Sequence, residues 1–259
     1  MIPLFYQLIE AYHPQSYSPP SITLISDVST PSVLGVATSS IVTPQNIGGE
    51  GQVYTIGFLG DSMVQTLGED LQSIKTSLSQ LFPRHVFHLI NRGTGSQNIE
   101  YGLNTELPLL LDQKPDIIVV ESFAYNNFGN TQTGYDRHWL ALGAITSTIR
   151  QKLPQTKIII ATTIAPNSIV FANGVKDLQL SSLDKVEKTS TIKLYLQNAI
   201  NFATSQGFAL ADAYHPSLIN NEGSRQYINS VDNIHPSAAG ASLFANVLTQ
   251  TISGRRLID

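Results

Sequence analysis

The feature that most constrains the fold is an alternation of short apolar runs with helix-like stretches from Val53 onward. Strand-like, β-branched runs occupy residues 53–59, 85–90, 116–121 and 157–163. Helix-like patterns cover residues 62–81, 98–111, 134–152, 189–205 and 237–252. Continuous apolar strands separated by helices are typical of a parallel sheet that is covered on both faces. The sequence therefore predicts an α/β domain with three layers, in which helices flank a central parallel sheet.

Residues 1–52 do not follow this pattern. They carry only three charged side chains, Glu10, Asp27 and Glu50, together with several prolines and short extended segments. We expect an N-terminal extended or β arm, or a small β extension, over residues 1–52 and one main domain over residues 53–259.

Composition limits the partners. Charged residues make up 13% of the chain, against about 25% in an average soluble domain. The net charge of −4 and the lack of a basic stripe argue against a nucleic-acid partner. There is no cysteine and no apolar run long enough for a transmembrane segment. The low-charge surface and the start of the chain favour an extracellular or cell-envelope location over a cytoplasmic one, and the oligomeric state stays undetermined.

The residues after each predicted strand are the first place to look for a site, because ligands bind outside the carboxyl ends of parallel strands. The first strand is followed by Gly60, Asp61 and Ser62. A serine on such a turn presents its hydroxyl, and its N–H lies at a helix N-terminus that favours negative charge. This arrangement suits a nucleophile for acyl transfer. The alternative is a plain strand–turn–helix in which Asp61 or Ser62 caps the helix.

Two further loops and one C-terminal motif complete the predicted chemistry. His235 is the candidate base for Ser62, and Asp232 would accept a hydrogen bond from the other imidazole nitrogen. The oxyanion would be held by the Ser62 N–H, a backbone N–H of the loop 93–96 and the Asn126 amide. The histidine spacings predict no metal site and no cofactor.

The same Asp-x-x-His spacing occurs a second time, at Asp212 and His215. We favour Asp232 and His235, because His235 leads directly into the last predicted helix. His215 is expected to lie on an upstream loop.

These four blocks resemble the SGNH (GDSL-like) hydrolase family, which is named for Ser, Gly, Asn and His in this chain order. The resemblance covers about residues 53–252 and implies a flavodoxin-like three-layer α/β/α fold and serine esterase catalysis without a metal or cofactor. It implies Ser62 as nucleophile, Asn126 as oxyanion donor, and Asp232 and His235 as the other triad members. The family's second block usually ends in Ser-Gly or Gly-Gly, whereas this chain has Gly95-Ser96, so the N–H donor is Ser96 or Gly95. The third block, usually Gly-x-Asn-Asp, is Ala124-Tyr125-Asn126-Asn127 here.

The substrate is predicted only by class. Our first expectation is an ester of a small acyl group, such as acetyl on a carbohydrate, with Asp61, Tyr125 and Phe128 as candidate substrate contacts. The long loop 165–189 could form a wall or lid. The alternatives are a lipid or short-chain ester hydrolase, an acyltransferase of the same fold, and a non-catalytic ligand-binding module. An ordinary α/β-hydrolase is disfavoured because no Gly-x-Ser-x-Gly motif is present.

Overall fold

A computed structural model describes residues 51–258 of the chain. The predicted arm over residues 1–52 lies almost wholly outside this range. In the described part, a five-stranded sheet contains β1 (Val53–Gly60), β2 (Val86–Gly93), β3 (Ile117–Glu121), β4 (Lys157–Thr162) and β5 (Ala209–Asp212). All pairings in this sheet are parallel, and the strand order is β2-β1-β3-β4-β5. This is the doubly wound, flavodoxin-like order, and it confirms the predicted fold class.

Helices cover both faces of the sheet. They are α1 (Ser62–Gln65), α2 (Gln72–Leu81), α3 (Ile99–Tyr101), α4 (Leu107–Leu111), α5 (Gln132–Lys152), α6 (Ser182–Ser205) and α7 (Ala238–Gly254). Alternate strand residues face opposite sides. Phe58 and Val119 pack in one core with α2 and α7, whereas Leu59 and Val120 pack in a second core with α4, α5 and α6. Both cores use central strand residues that are fully buried.

Several element boundaries differ from the sequence-based expectation. The helix predicted over 62–81 is two helices, because the chain turns at Gly68 and Leu71, both of which have positive φ. A π-helical turn at Gly102–Glu106 separates α3 from α4. Helix α6 begins at Ser182, earlier than predicted, because Ser181 and Asp184 form a capping box.

The fifth strand was not predicted. It has four residues and lies at the sheet edge beside β4. So short a run carries too little periodic signal to distinguish a strand from a helix segment. A two-stranded antiparallel pair, β6 (Leu218–Ile219) and β7 (Glu222–Gly223), follows it.

The order of the strands decides where a site can form. From β1 the chain passes to β2 on one side, then crosses to β3 on the other side of β1 and continues outward through β4 and β5. Adjacent loops therefore diverge at the carboxyl ends of β1 and β3, which is where doubly wound sheets bind their ligands. Over residues 51–258, no helix is both long and apolar enough to span a membrane.

Candidate active site

The turn after β1 presents Ser62 at the first position of α1. Asp61 is the N-cap, and its Oδ1 accepts a hydrogen bond from the Met63 N–H at 2.8 Å. Ser62 is left partly exposed between two fully buried neighbours, Asp61 and Met63. The turn requires glycine at position 60, since a Cβ there would lie 2.3 Å from Val64 Cγ2. The cap and the exposed serine are thus compatible, because different residues provide them.

The loop after β2 lies directly against this turn. A Cβ at Gly93 would lie 2.4 Å from the backbone nitrogen of Gln65, and one at Gly95 would lie 3.8 Å from Ser62 Cβ. The Gly93 N–H donates to the Asn91 side chain at 2.8 Å, and the Thr94 N–H donates to the Gly60 carbonyl at 3.0 Å. Close packing against α1 therefore brings this loop to the nucleophile turn.

Two backbone donors of this loop stay unused. Within residues 51–258, the N–H groups of Gly95 and Ser96 donate no hydrogen bond. Ser96 has a φ of 60°, in the left-handed region that non-glycine residues adopt less often. Both predicted donors are therefore without a protein acceptor in the described part of the chain, on a loop that packs against the Ser62 turn at Gly95.

Asn126 ends a short 3₁₀ turn, Ala124–Asn126, that follows β3. Its side-chain amide donates to Asp61 Oδ2 at 3.0 Å. One amide hydrogen is thereby used, and the other stays available for an oxyanion. This hydrogen bond joins the turn after β1 to the turn after β3, although its two residues lie 65 positions apart in the sequence.

Asp61, a predicted substrate contact, lies inside the protein in this structure. The residue is fully buried, and both carboxylate oxygens accept hydrogen bonds from within the protein. Burial raises the pKa of Asp61, while the hydrogen bonds from Met63 and Asn126 and the proximity of His235 act in the opposite direction. Asp61 is positioned to orient Asn126 and to cap α1.

Asp232 and His235 form the predicted pair. His235 Nδ1 lies 2.8 Å from Asp232 Oδ2, and Asp232 Oδ1 accepts the N–H groups of Ile234 at 2.8 Å and His235 at 3.0 Å. Burial would raise the pKa of Asp232, but the hydrogen bonds from His235 and the two N–H groups outweigh it and leave the pKa below its usual value. The carboxylate is therefore ionised near neutral pH and holds the imidazole in one orientation.

Packing brings this pair to the nucleophile turn. Met63, next to Ser62, lies in one apolar cluster with Ile228 and Ile164. Ile228 forms an isolated β-bridge with Pro236, next to His235. No hydrogen bond joins the Ser62 hydroxyl to His235 within the described residues, and such bonds are often long before substrate binds.

The second pair has nearly the same internal geometry. His215 Nδ1 lies 2.5 Å from Asp212 Oδ2, and Asp212 Oδ1 accepts the N–H groups of Tyr214 and His215. It lies after β5, at the sheet edge and two strands beyond β3. The His215 side chain is 51% exposed, against 23% for His235. Over residues 51–258, no group of three or more acidic or histidine side chains is arranged to hold a metal ion.

A buried acid that the sequence analysis did not single out lies below the site. Glu121 is the last residue of β3 and is fully buried. Burial raises its pKa to about 8, and the charge of Asp61 acts in the same direction. A carboxylate closing an otherwise apolar central strand is the sequence signal that could have identified it.

A cavity of about 470 Å³ opens beside Asn126. Tyr125 lines one side, and Phe171, Glu187 and Lys188 line the other, from the loop between β4 and α6 and from α6 itself. The polar lining also includes Asn127, Asn130 and Thr191, and the apolar lining Leu178, Leu180 and Ile192. The long loop after β4 is thus one wall of this cavity.

The two predicted aromatic contacts differ in position. Tyr125 lines the cavity, its hydroxyl donates to the Ile164 carbonyl at 3.1 Å, and its ring centroid lies 6.5 Å from that of Phe171. Phe128 packs into the core and lies 4.0 Å beneath the Arg137 guanidinium. Phe128 does not line the cavity, so a substrate contact there is not supported.

Comparison with solved structures shows the same fold. The lipase/acylhydrolase from Enterococcus faecalis has a TM-score of 0.57 at 17% identity, covering 78% of this chain and 96% of its own. Acetylxylan esterase Axe2 from Geobacillus stearothermophilus has a TM-score of 0.56 at 14% identity, covering 78% and 95%. A GDSL-like lipase from Bacteroides thetaiotaomicron has a TM-score of 0.55 at 13% identity, covering 78% and 89%. 

A family profile extends the comparison from fold to sequence. No protein with a curated functional description matches the sequence. The profile of the GDSL-like lipase/acylhydrolase family matches residues 58–243, which span the nucleophile turn, the Asn126 turn and the Asp232–His235 pair. The chain therefore belongs to the GDSL-like lipase/acylhydrolase family.

Proposed function

We propose that this chain is a serine esterase that removes small acyl groups from carbohydrate hydroxyls. The observation that carries the catalytic part is the joining of three distant segments at one edge of the sheet. Asp61 accepts a hydrogen bond from Asn126, which joins the turn after β1 to the turn after β3. The Asp232–His235 pair is packed beside the turn after β1. Ser62 is the partly exposed residue of that turn.

The first half of the reaction follows from these positions. His235 Nε2 takes the Ser62 hydroxyl proton while Oγ forms a bond to the ester carbonyl carbon. Asp232 stabilises the imidazolium through the Nδ1 hydrogen bond. The oxyanion accepts hydrogen bonds from the Ser62 N–H, from Gly95 or Ser96, and from the free Asn126 amide hydrogen.

The second half releases the products. The bond to the leaving oxygen breaks as His235 donates its proton to that oxygen, so an alcohol departs and an acyl-serine stays. Water then attacks the acyl group, with His235 again as base, and the carboxylic acid leaves with Ser62 restored.

The cavity supports a carbohydrate as the alcohol part. The Tyr125 and Phe171 rings suit the apolar face of a sugar, and the amide and charged side chains suit its hydroxyls. The same polar and charged lining disfavours an apolar lipid as the alcohol part. An acetylxylan esterase shares this fold, so the proposed substrate class is one that the fold can accommodate.

The test compares wild type with Ser62→Ala on p-nitrophenyl esters of increasing acyl length and on an acetylated xylo-oligosaccharide. We expect acetyl esters to react fastest and Ser62→Ala to lower kcat by about 10,000-fold or more. Absence of Ser62-dependent turnover on every ester would overturn the esterase assignment. A preference for long acyl chains would instead favour a lipid ester.

A further inference from the structure

Glu121 contacts both of the turns that form the proposed site. Its Oε1 accepts a hydrogen bond from the Ser122 hydroxyl at 2.5 Å, and its Oε2 accepts the Phe123 N–H at 2.8 Å, at the start of the turn that carries Asn126. The Asp61 backbone N–H faces the Glu121 carboxyl closely enough to act on its pKa, which it lowers. A Cβ at Gly60 would lie 3.0 Å from Glu121 Cβ, so the acid lies directly against the nucleophile turn.

The turn that Glu121 holds is strained. Phe123 has a φ of 52° and a ψ of 24°, the left-handed conformation that a bulky residue rarely adopts. Such a conformation persists only where surrounding contacts over-determine it. Glu121 accepts the Phe123 N–H, and the Phe123 ring packs on Gly102, where a Cβ would lie 2.5 Å from the ring.

We propose that Glu121 is a positioning residue for ester hydrolysis, because it holds the start of the Asn126 turn by hydrogen bonds and packs directly against the Ser62 turn. This inference rests on the proposed function. Glu121 is buried and touches no substrate, so it acts through the oxyanion donors rather than on the reacting atoms.

The contacts also indicate where the proton of the two neighbouring acids resides. Burial raises the pKa of both acids, and both accept hydrogen bonds. Asp61 also faces His235, whose charge favours the ionised form of Asp61. Two adjacent buried carboxylates repel one another, so we expect the shared proton on Glu121. In that state the Ser122 hydroxyl, which donates to the ionised carboxylate, would turn to accept instead. The other titratable groups facing Glu121 are Tyr125 and, through the Ser122 carbonyl, the neutral His138.

The test measures kcat and KM for Glu121→Ala, Glu121→Gln and Asp212→Asn with the ester that wild type hydrolyses fastest. Asp212 is the matched control, since it also ends a strand and accepts N–H groups of the following turn, but it lies away from Ser62. We expect Glu121→Ala to lower kcat by about 100-fold with KM nearly unchanged, and Asp212→Asn to stay close to wild type.

Glu121→Gln provides the second readout. Its amide has the shape of the neutral acid: the amide oxygen can accept the Phe123 N–H, and the amide N–H can donate to the Ser122 hydroxyl once that hydroxyl turns to accept. We expect wild-type kcat to fall as the pH rises through about 8, because ionised Glu121 would repel Asp61. Glu121→Gln cannot ionise, so its kcat should stay near the wild-type maximum without this fall.

Three results would overturn the proposal. One is a kcat for Glu121→Ala no lower than for Asp212→Asn, and another is a loss that appears in KM. The third, decisive if Glu121→Ala does not fold, is the same alkaline fall in Glu121→Gln as in wild type. Any of these with Ser62-dependent turnover intact would refute the role of Glu121 alone, whereas loss of that dependence would refute the esterase assignment.

Discussion

At the scale of single residues, the two Asp-x-x-His pairs show what local sequence can build. In both, one carboxylate oxygen accepts the N–H groups two and three positions later, and the other binds histidine Nδ1. The spacing alone therefore produces the pair. Of the two, the Asp232–His235 pair is the one packed beside the nucleophile turn. This packing depends on the contact between Met63 and Ile228, which are too far apart in sequence for a local pattern to predict.

We expect His235→Ala to lower kcat/KM by about 10,000-fold, because Ser62 loses its base. His215→Ala is the matched control and should stay close to wild type, since His215 lies at the sheet edge and is half exposed. Both variants are assayed on the same p-nitrophenyl ester. The reverse ranking would move the proposed triad to Asp212 and His215.

At the scale of elements, strands were easier to predict than helix ends. Four of the five sheet strands were predicted within a few residues, because buried parallel strands are continuous apolar runs. The helix predicted over 62–81 was wrong in its middle, since Gly68 and Leu71 end one helix and begin another. That break leaves α1 only four residues long and lets the loop after β2 pack against it.

The contact between α1 and β2 predicts opposite effects for one substitution at two glycines. Gly93→Ala places a methyl group 2.4 Å from the Gln65 backbone nitrogen. Because this backbone atom cannot move aside, we expect the free energy of unfolding to fall by about 1–3 kcal/mol. Gly143 lies within α5, and the nearest atom to a Cβ at this position is 4.0 Å away. Because alanine favours a helix over glycine, we expect Gly143→Ala to raise the free energy of unfolding by about 0.5–1 kcal/mol. Thermal unfolding checks both, and equal effects would contradict the close packing.

At the scale of the whole molecule, His138 joins three elements behind the site. It lies on α5, its Nε2–H donates to the Ser122 carbonyl after β3 at 2.6 Å, and its Nδ1 accepts from Asn198 of α6 at 3.0 Å. These partners require the neutral ring, since a protonated Nδ1 could not accept. Burial lowers the pKa of His138 to about 4.

This shift predicts a loss of stability in acid. Between the unfolded pKa of about 6.5 and the folded value of about 4, the unfolded chain binds a proton that the folded chain does not. The free energy of unfolding should therefore fall as the pH drops through this window, by about 3 kcal/mol in total. Urea unfolding of wild type and His138→Gln at both ends of the window checks it. An equal change in both proteins would show that His138 does not contribute.

The sequence by itself determined the layered α/β fold, the order of the four motifs and the internal geometry of the two Asp-x-x-His turns. These follow from interactions between near neighbours, such as strand periodicity, helix caps and the Asp-x-x-His spacing. Only the tertiary structure decided that Asp61 is buried and binds Asn126, that Glu121 lies between their turns, and that Phe128 packs against the core. These contacts exist because β1 and β3 are adjacent in the sheet although α1 to α4 and β2 separate them in sequence.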